Sequence, residues 1–258
     1  MQVLTRPWGA MHYRIDGAAK GPTVVFGNSL GTDLRLWDAL LPHLPSEFRY
    51  VRHDKRGHGL SDLGGRASAA DLADDDAALI EHVGGPVIFV GLSIGGLIAQ
   101  TLAARRPDLV KAIVISNSAA KLGTAETWQA RIDAIRAGGL VSIADAVMER
   151  WFAPAFRASP AVTPWRNMMI RTPEEGYIAA CQALAAADQT EATRALRLPT
   201  LVIAGAEDGS TPPALVRATA DLIPGAAFHI IPGTGHLPCV ENPAAYAAIL
   251  SPFLKAHA

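Results

Sequence analysis

Gly91-Leu92-Ser93-Ile94-Gly95 spells G-x-S-x-G directly after the apolar run Val87–Val90 and before a helical pattern that opens at Gly96. A serine on a sharp strand-to-helix turn is held at strained backbone angles that lift its hydroxyl above the sheet. Glycines flank it because side chains there collide with the neighbouring strand and helix. The plainer reading is a turn serine that caps the following helix. The strand–turn–helix context favours a nucleophile. A serine hydroxyl becomes nucleophilic only beside a base that a carboxylate orients, and on such a scaffold acid and histidine follow the serine in the chain. Leu201–Asp208 is an apolar run ending in an acid, and Phe228–His236 is another ending in a glycine-flanked histidine. Ser93, Asp208 and His236 thus each fall at the end of such a run. Glu207 is the rival acid, but Asp208 is nearer the turn and its shorter side chain suits this geometry.

An acyl-transfer site also needs donors for the tetrahedral oxyanion. The Ile94 backbone N–H, next to the nucleophile, is the first expected donor. The Leu30 backbone N–H, in Phe26-Gly-Asn-Ser-Leu-Gly-Thr-Asp33, is the second, because Gly31 lets the chain turn inward there. Asn28 and Ser29 are expected to support that turn at most. In His53-Asp-Lys-Arg-Gly-His58, Asp54 and Arg56 read as braces for the loops. His53, Asp54 and His58 share a loop but have no further ligands nearby to complete a metal site. No metal is expected. Of the other histidines, His12, His43, His82 and His257 read as surface residues, and His229 as part of a strand.

The elements that must position these residues follow from hydrophobic periodicity. Gln2–Thr5 and His12–Ile15 suggest an antiparallel start. Buried strands are expected at Thr23–Phe26, Arg49–His53, Val87–Val90, Ala112–Ser116, Thr200–Ala204 and Ala227–Ile231. Helical patterns fill the gaps at Trp37–Leu44, Ala69–His82, Gly96–Arg105, Pro213–Leu222 and Pro243–Lys255. Four aspartates between Asp71 and Asp76 read as a solvated helix end. The alternation implies an α/β fold, a mostly parallel eight-stranded sheet with helices on both faces. Residues 121–195 break the rhythm with helical, tryptophan- and arginine-bearing sequence. This helical lid is expected between strands 6 and 7, over a core of residues 1–120 and 196–258.

Composition narrows the function. The chain has 258 residues, 50% of them hydrophobic, which is ample for a large core and excludes a disordered chain. Its 23 Lys and Arg against 24 Asp and Glu leave no uniform basic field for nucleic acid or an anionic membrane. The first residues lack the apolar core of a secretory signal, and no run is long enough to span a bilayer. A cytoplasmic protein is expected, with Cys181 and Cys239 as reduced, buried thiols.

With these residues in place, the chain resembles the α/β-hydrolase superfamily over its whole length. The marks are the elbow at Ser93, the Asp54-Lys-Arg-Gly-His-Gly loop and Gly235-His236. More specifically, Gly27-Asn-Ser-Leu-Gly-Thr-Asp-Leu-Arg-Leu-Trp37, Asn117-Ser-Ala-Ala-Lys-Leu-Gly123, Trp128–Asp133, Arg150–Phe156 and Gly176–Asp188 are similar to the 3-oxoadipate enol-lactonase family. The resemblance implies an α/β-hydrolase fold, a cofactor-free serine hydrolase and a small-molecule enol-lactone substrate that bears a carboxymethyl arm. It places the family's catalytic roles on Ser93, Asp208 and His236. A buried carboxylate needs a cation; Arg131 is the first candidate and Lys121 the second, with Trp128 and Trp151 as apolar wall. A general carboxylesterase or a cofactor-free perhydrolase on the same triad is the alternative.

Overall fold

The computed structural model describes residues 1–258. Its strands are β1 (Gln2–Arg6), β2 (Gly9–Gly17), β3 (Thr23–Gly27), β4 (Arg49–His53), β5 (Val87–Leu92), β6 (Val110–Ser116), β7 (Thr200–Gly205) and β8 (Ala227–Ile231). They form one sheet in the order β1-β2-β4-β3-β5-β6-β7-β8. β2 pairs antiparallel with β1 and β4, and every other pairing is parallel. This is the α/β sheet that the alternating pattern implies. β3, β5 and β7 are buried at every residue, as strands covered on both faces must be. β8 differs from expectation. It is mostly exposed, because as the last strand it has β7 on one side and no strand on the other.

The helices before the β6–β7 connection are α1 (Ala69–Val83) and α2 (Ile94–Arg105). Within that connection lie α3 (Ala125–Gly138), α4 (Ala144–Trp151), α5 (Pro154–Arg157), α6 (Thr163–Ile170), α7 (Glu174–Ala186) and α8 (Thr190–Arg194), with no strand. α9 (Pro213–Ala220), α10 (Pro238–Glu241) and α11 (Pro243–Ala256) complete the chain. α2 is buried from Ile94 to Ala103 because it packs on β3, β5 and β6 as well as on α1 and α8. Its one buried amide, Gln100, is satisfied by the Gly96 carbonyl at 2.9 Å and the Thr193 hydroxyl at 2.7 Å. The helix expected over Trp37–Leu44 is instead two 3₁₀ turns, Leu34–Trp37 and Leu41–His43. Pro42 lacks an amide to donate, so the bond that an unbroken α-helix needs from residue 42 to the Asp38 carbonyl cannot form.

The acidic run of α1 also departs from expectation. Asp71 does cap the helix, in a capping box with Ser68. Asp75 and Asp76 are buried, however. Asp75 accepts from Arg6, Trp8 and Arg56, and Asp76 pairs with His53 at 2.7 Å. A spacing of one and two residues cannot reveal which side of a helix meets a distant strand. No helix is long and apolar enough to cross a membrane.

Candidate active site

The turn from β5 into α2 holds Ser93 at φ 58 and ψ −119, a conformation that costs a non-glycine residue about 1–3 kcal/mol. The motif's glycines have a direct steric cause. A Cβ on Gly91 would lie 2.1 Å from the Gly95 carbonyl oxygen, and one on Gly95 would lie 2.2 Å from that of Gly27. The turn is tied to the end of β6: the Ser93 amide donates to the Ser116 carbonyl (2.9 Å), and the Ser118 hydroxyl donates to the Ser93 carbonyl (2.6 Å).

His236 follows β8 and Asp208 follows β7, and the His236 Nδ1 to Asp208 Oδ2 distance is 2.8 Å with both side chains buried. Asp208 Oδ1 accepts from the amides of Ser210 (2.7 Å) and Thr211 (2.9 Å). Its Oδ2 also accepts from the Thr211 hydroxyl (2.6 Å) and the Asn117 side-chain amide (2.9 Å). Burial pushes the Asp208 pKa up, but His236 and the hydrogen bonds from His236, Thr211 and Asn117 outweigh it, leaving the carboxyl below its usual value. Glu207 is exposed. The geometry therefore joins His236 to Asp208 and not to its rival. Asn117 and Thr211 were not singled out as partners of the acid. Asn117 directly follows β6, with φ 47, so its placement at a strand end was a usable signal. Thr211 carried none beyond lying in the turn.

The β6–β7 connection is fastened to both of these loops. The amides of Gly209 and His236 donate to the successive carbonyls of Arg150 (3.1 Å) and Trp151 (2.7 Å) at the end of α4. Glu241, five residues after His236, accepts from the amides of Gly235 (2.6 Å) and Ala153 (2.9 Å). Burial raises its pKa to about 7 against those two amides.

Ile94 is the first residue of α2, and an amide there has no intrahelical carbonyl to reach. Leu30 lies in the loop after β3 and lines the same cavity as Ser93 and His236. Asn28 donates to the His53 carbonyl (2.6 Å) and accepts from the Trp37 indole (2.7 Å), which fixes where that loop begins. The Asp54–His58 segment braces it, as expected. Asp54 accepts from the amides of Leu34 (2.8 Å) and Leu60 (2.9 Å), and Arg56 pairs with Asp75. His12 is a correction. It is buried, with Nδ1 2.8 Å from Asp54, because β2 is covered on the face that a two-residue alternation left open.

Ser93 and His236 open on a cavity of about 490 Å³. Its apolar wall includes Trp128, Trp151, Leu184 and Leu215, and two arginines, Arg131 and Arg150, also line it. The Arg131 guanidinium stacks 4.9 Å from the Trp128 ring. Burial, then the charge of Arg131, lowers the pKa of Arg150. The neighbouring Glu149 is engaged with Arg157 instead. Two like charges thus share one cavity without a carboxylate between them. The buried hydroxyl of Ser29, which lines the same cavity, is also unpartnered. Lys121 is not brought to the cavity. It is exposed and pairs with Asp188 at 3.2 Å, so the structure replaces it with Arg150 as the second cation.

Both cysteines are free and buried. Burial pushes the Cys181 thiol up to about 12 and the Cys239 thiol up as well, which suppresses the reactive thiolate. Cys181→Ala and Cys239→Ala are expected to retain kcat within about threefold, with or without reductant. A collapse of turnover in either folded variant contradicts this.

A family model of the alpha/beta hydrolase fold matches residues 22–243. The chain is 34% identical over 250 residues to 3-oxoadipate enol-lactonase 2 of Acinetobacter baylyi, covering 95% of this chain and 93% of that protein. It is 33% identical over 262 residues to 3-oxoadipate enol-lactonase 1 of the same organism, covering 99% and 97%. The crystal structure of the enol-lactonase from Burkholderia xenovorans LB400 superposes with a TM-score of 0.94 at 34% identity, over 98% of this chain and 100% of that one. The chain belongs to the α/β-hydrolase family, is similar along almost its whole length to 3-oxoadipate enol-lactonases, and is a hydrolase of ester bonds.

Proposed function

We propose that this protein opens 3-oxoadipate enol-lactone to 3-oxoadipate through an acyl-enzyme on Ser93. His236 accepts the Ser93 proton as the hydroxyl attacks the lactone carbonyl, while Asp208 holds Nδ1 protonated and balances the imidazolium. The amides of Leu30 and Ile94 stabilise the oxyanion. Collapse of the tetrahedral intermediate breaks the ring carbon–oxygen bond and expels an enolate, a better leaving group than an alkoxide. The His236 imidazolium gives up its proton to the departing enolate, which becomes the ketone, and the ring returns to its neutral form. Water, giving a proton to the neutral His236, then attacks the acyl-enzyme, and collapse frees the second carboxylate as His236 returns that proton to Ser93. These steps draw on side chains and backbone amides alone.

The observation that carries the substrate is the pair Arg131 and Arg150, which reach the cavity of Ser93 and His236 without an acidic partner. A carboxymethyl arm supplies the missing anion, and an arginine's planar fork pairs with a carboxylate through two hydrogen bonds. Trp128 and Trp151 form the wall against the ring. In this reading residues 121–195 act as a lid, since they contribute both arginines and both tryptophans. The similarity to enol-lactonases supports the same assignment.

Arg131→Ala and Arg150→Ala test it. Loss of a buried charged hydrogen bond costs about 2–5 kcal/mol, or some 30- to several-thousand-fold in kcat/KM. Each variant is expected to lose that much on the enol-lactone and less than about fivefold on a neutral ester of similar size. The ratio of the two losses cancels general damage to the fold. Equal losses on both substrates defeat the carboxylate reading.

A further inference from the structure

Lys55 lies outside the cavity and outside the chemistry described so far. It is buried, an expensive place for an ammonium group, yet it forms no ion pair of its own. Its Nζ donates instead to two carbonyls of the loop after β3, those of Ser29 (2.5 Å) and Thr32 (3.2 Å). We propose that Lys55 is a positioning residue for the oxyanion hole, acting through the Ser29–Leu30 peptide group.

The geometry of a peptide makes the link. In a trans peptide the carbonyl of one residue and the N–H of the next point in opposite directions. A Ser29 carbonyl drawn toward Lys55 therefore turns the Leu30 N–H away from Lys55, toward the cavity that Ser29 and Leu30 line. The Thr32 hydroxyl (3.0 Å) and amide (3.3 Å) donate to the same oxygen, so this peptide plane is held by three donors. The next plane is pinned too. The Gly31 amide donates to His58 Nε2 at 3.1 Å, which requires a neutral ring at His58. Burial and the Lys55 charge both hold His58 well below its usual pKa.

Orientation is half of the effect. A cation on the carbonyl side also polarises the peptide and makes its N–H a stronger donor. The Leu30 amide then meets a developing oxyanion with part of the Lys55 charge behind it. Burial lowers the Lys55 pKa to about 7, opposed by Asp54 on its own segment, Asp33 on the loop and Asp76 on α1. The histidines that feel its charge are His53 and His58.

The test compares Lys55→Met, which removes the charge but keeps the length, with the parent enzyme on p-nitrophenyl acetate. Removal of a whole oxyanion donor costs about 10²–10³ in kcat. Disordering and depolarising one should cost about 10–10², with KM changed less than threefold. Affinity for a boronic acid that forms a tetrahedral adduct on Ser93 is expected to fall in parallel with kcat. A merely structural lysine would instead shift KM, or lower kcat without following the boronate. A folded Lys55→Met with kcat and boronate affinity within twofold of the parent overturns the proposal. Should the variant not fold, the parent enzyme answers by itself. The Leu30 amide nitrogen resonance is expected to move with the same midpoint as the Lys55 Nζ resonance between pH 6 and 9, and an unmoved Leu30 amide overturns the proposal. The inference rests on the serine mechanism, so Ser93→Ala runs alongside. Turnover surviving that change defeats the mechanism itself, whereas a normal Lys55→Met in an enzyme that needs Ser93 defeats only the role given to Lys55.

Discussion

Ser93→Ala is expected to lower kcat by a factor on the order of 10⁶ while leaving the fold intact. The size follows from what remains: without the nucleophile only binding and the oxyanion donors act, as in other serine hydrolases stripped of a triad member. The integrity of the fold follows from the turn. Alanine keeps a Cβ, so the backbone at φ 58 is no more strained than before. The backbone bonds from the Ser93 amide to Ser116 and from Ser118 to the Ser93 carbonyl are untouched. Thermal stability should therefore change little. The measurement is a burst and steady-state assay on the enol-lactone, with mass spectrometry of the parent enzyme after a serine-directed phosphonate. One adduct per chain, on Ser93, is the expected label. A label elsewhere, or a variant with near-normal turnover, sinks the assignment.

The second large effect is at Asp208. Asp208→Asn is expected to cost about 10⁴ in kcat, because an amide favours the wrong imidazole tautomer. The hydrogen bonds around this carboxylate explain why no rotation of the amide rescues it. With its NH₂ in place of Oδ1, the amide faces the backbone donors of Ser210 and Thr211. With its NH₂ in place of Oδ2, it meets the Asn117 side-chain amide and turns a donor toward His236 Nδ1. The ring then protonates at Nε2 and loses the lone pair that takes the Ser93 proton. Glu207→Gln, at an exposed position, should stay within about threefold of the parent. The opposite ranking would move the acid to Glu207. The same carboxylate leaves a mark on stability. Its pKa is lower folded than unfolded, so its contribution is complete above the ordinary carboxylate pKa and is lost as pH falls through the lower folded value. Urea titrations between pH 2 and 6 should show the parent losing stability over that window and Asp208→Asn losing less.

The sequence by itself determined the sheet, the elbow and the chain order of Ser93, Asp208 and His236, because each is a local signal. A run of apolar β-branched residues is a strand whatever its neighbours do, and three chemically capable residues each followed such a run. Where the local signal was weak or mixed, it misled. Pro42 cut a helix short, β8 proved to be an edge, and the aspartates of α1 split between solvent and core. Tertiary structure alone decided who meets whom across long stretches of chain. Asn117 reaches Asp208 across 91 residues, and Lys55 reaches Ser29 across 26. Arg150 displaces Lys121 as the second cation because α4 ends against the Asp208 and His236 loops, whereas Lys121 turns outward to Asp188. Periodicity reports which face of an element is apolar. It carries no information about which charged side chain, on a distant helix, that face will bring into the cavity.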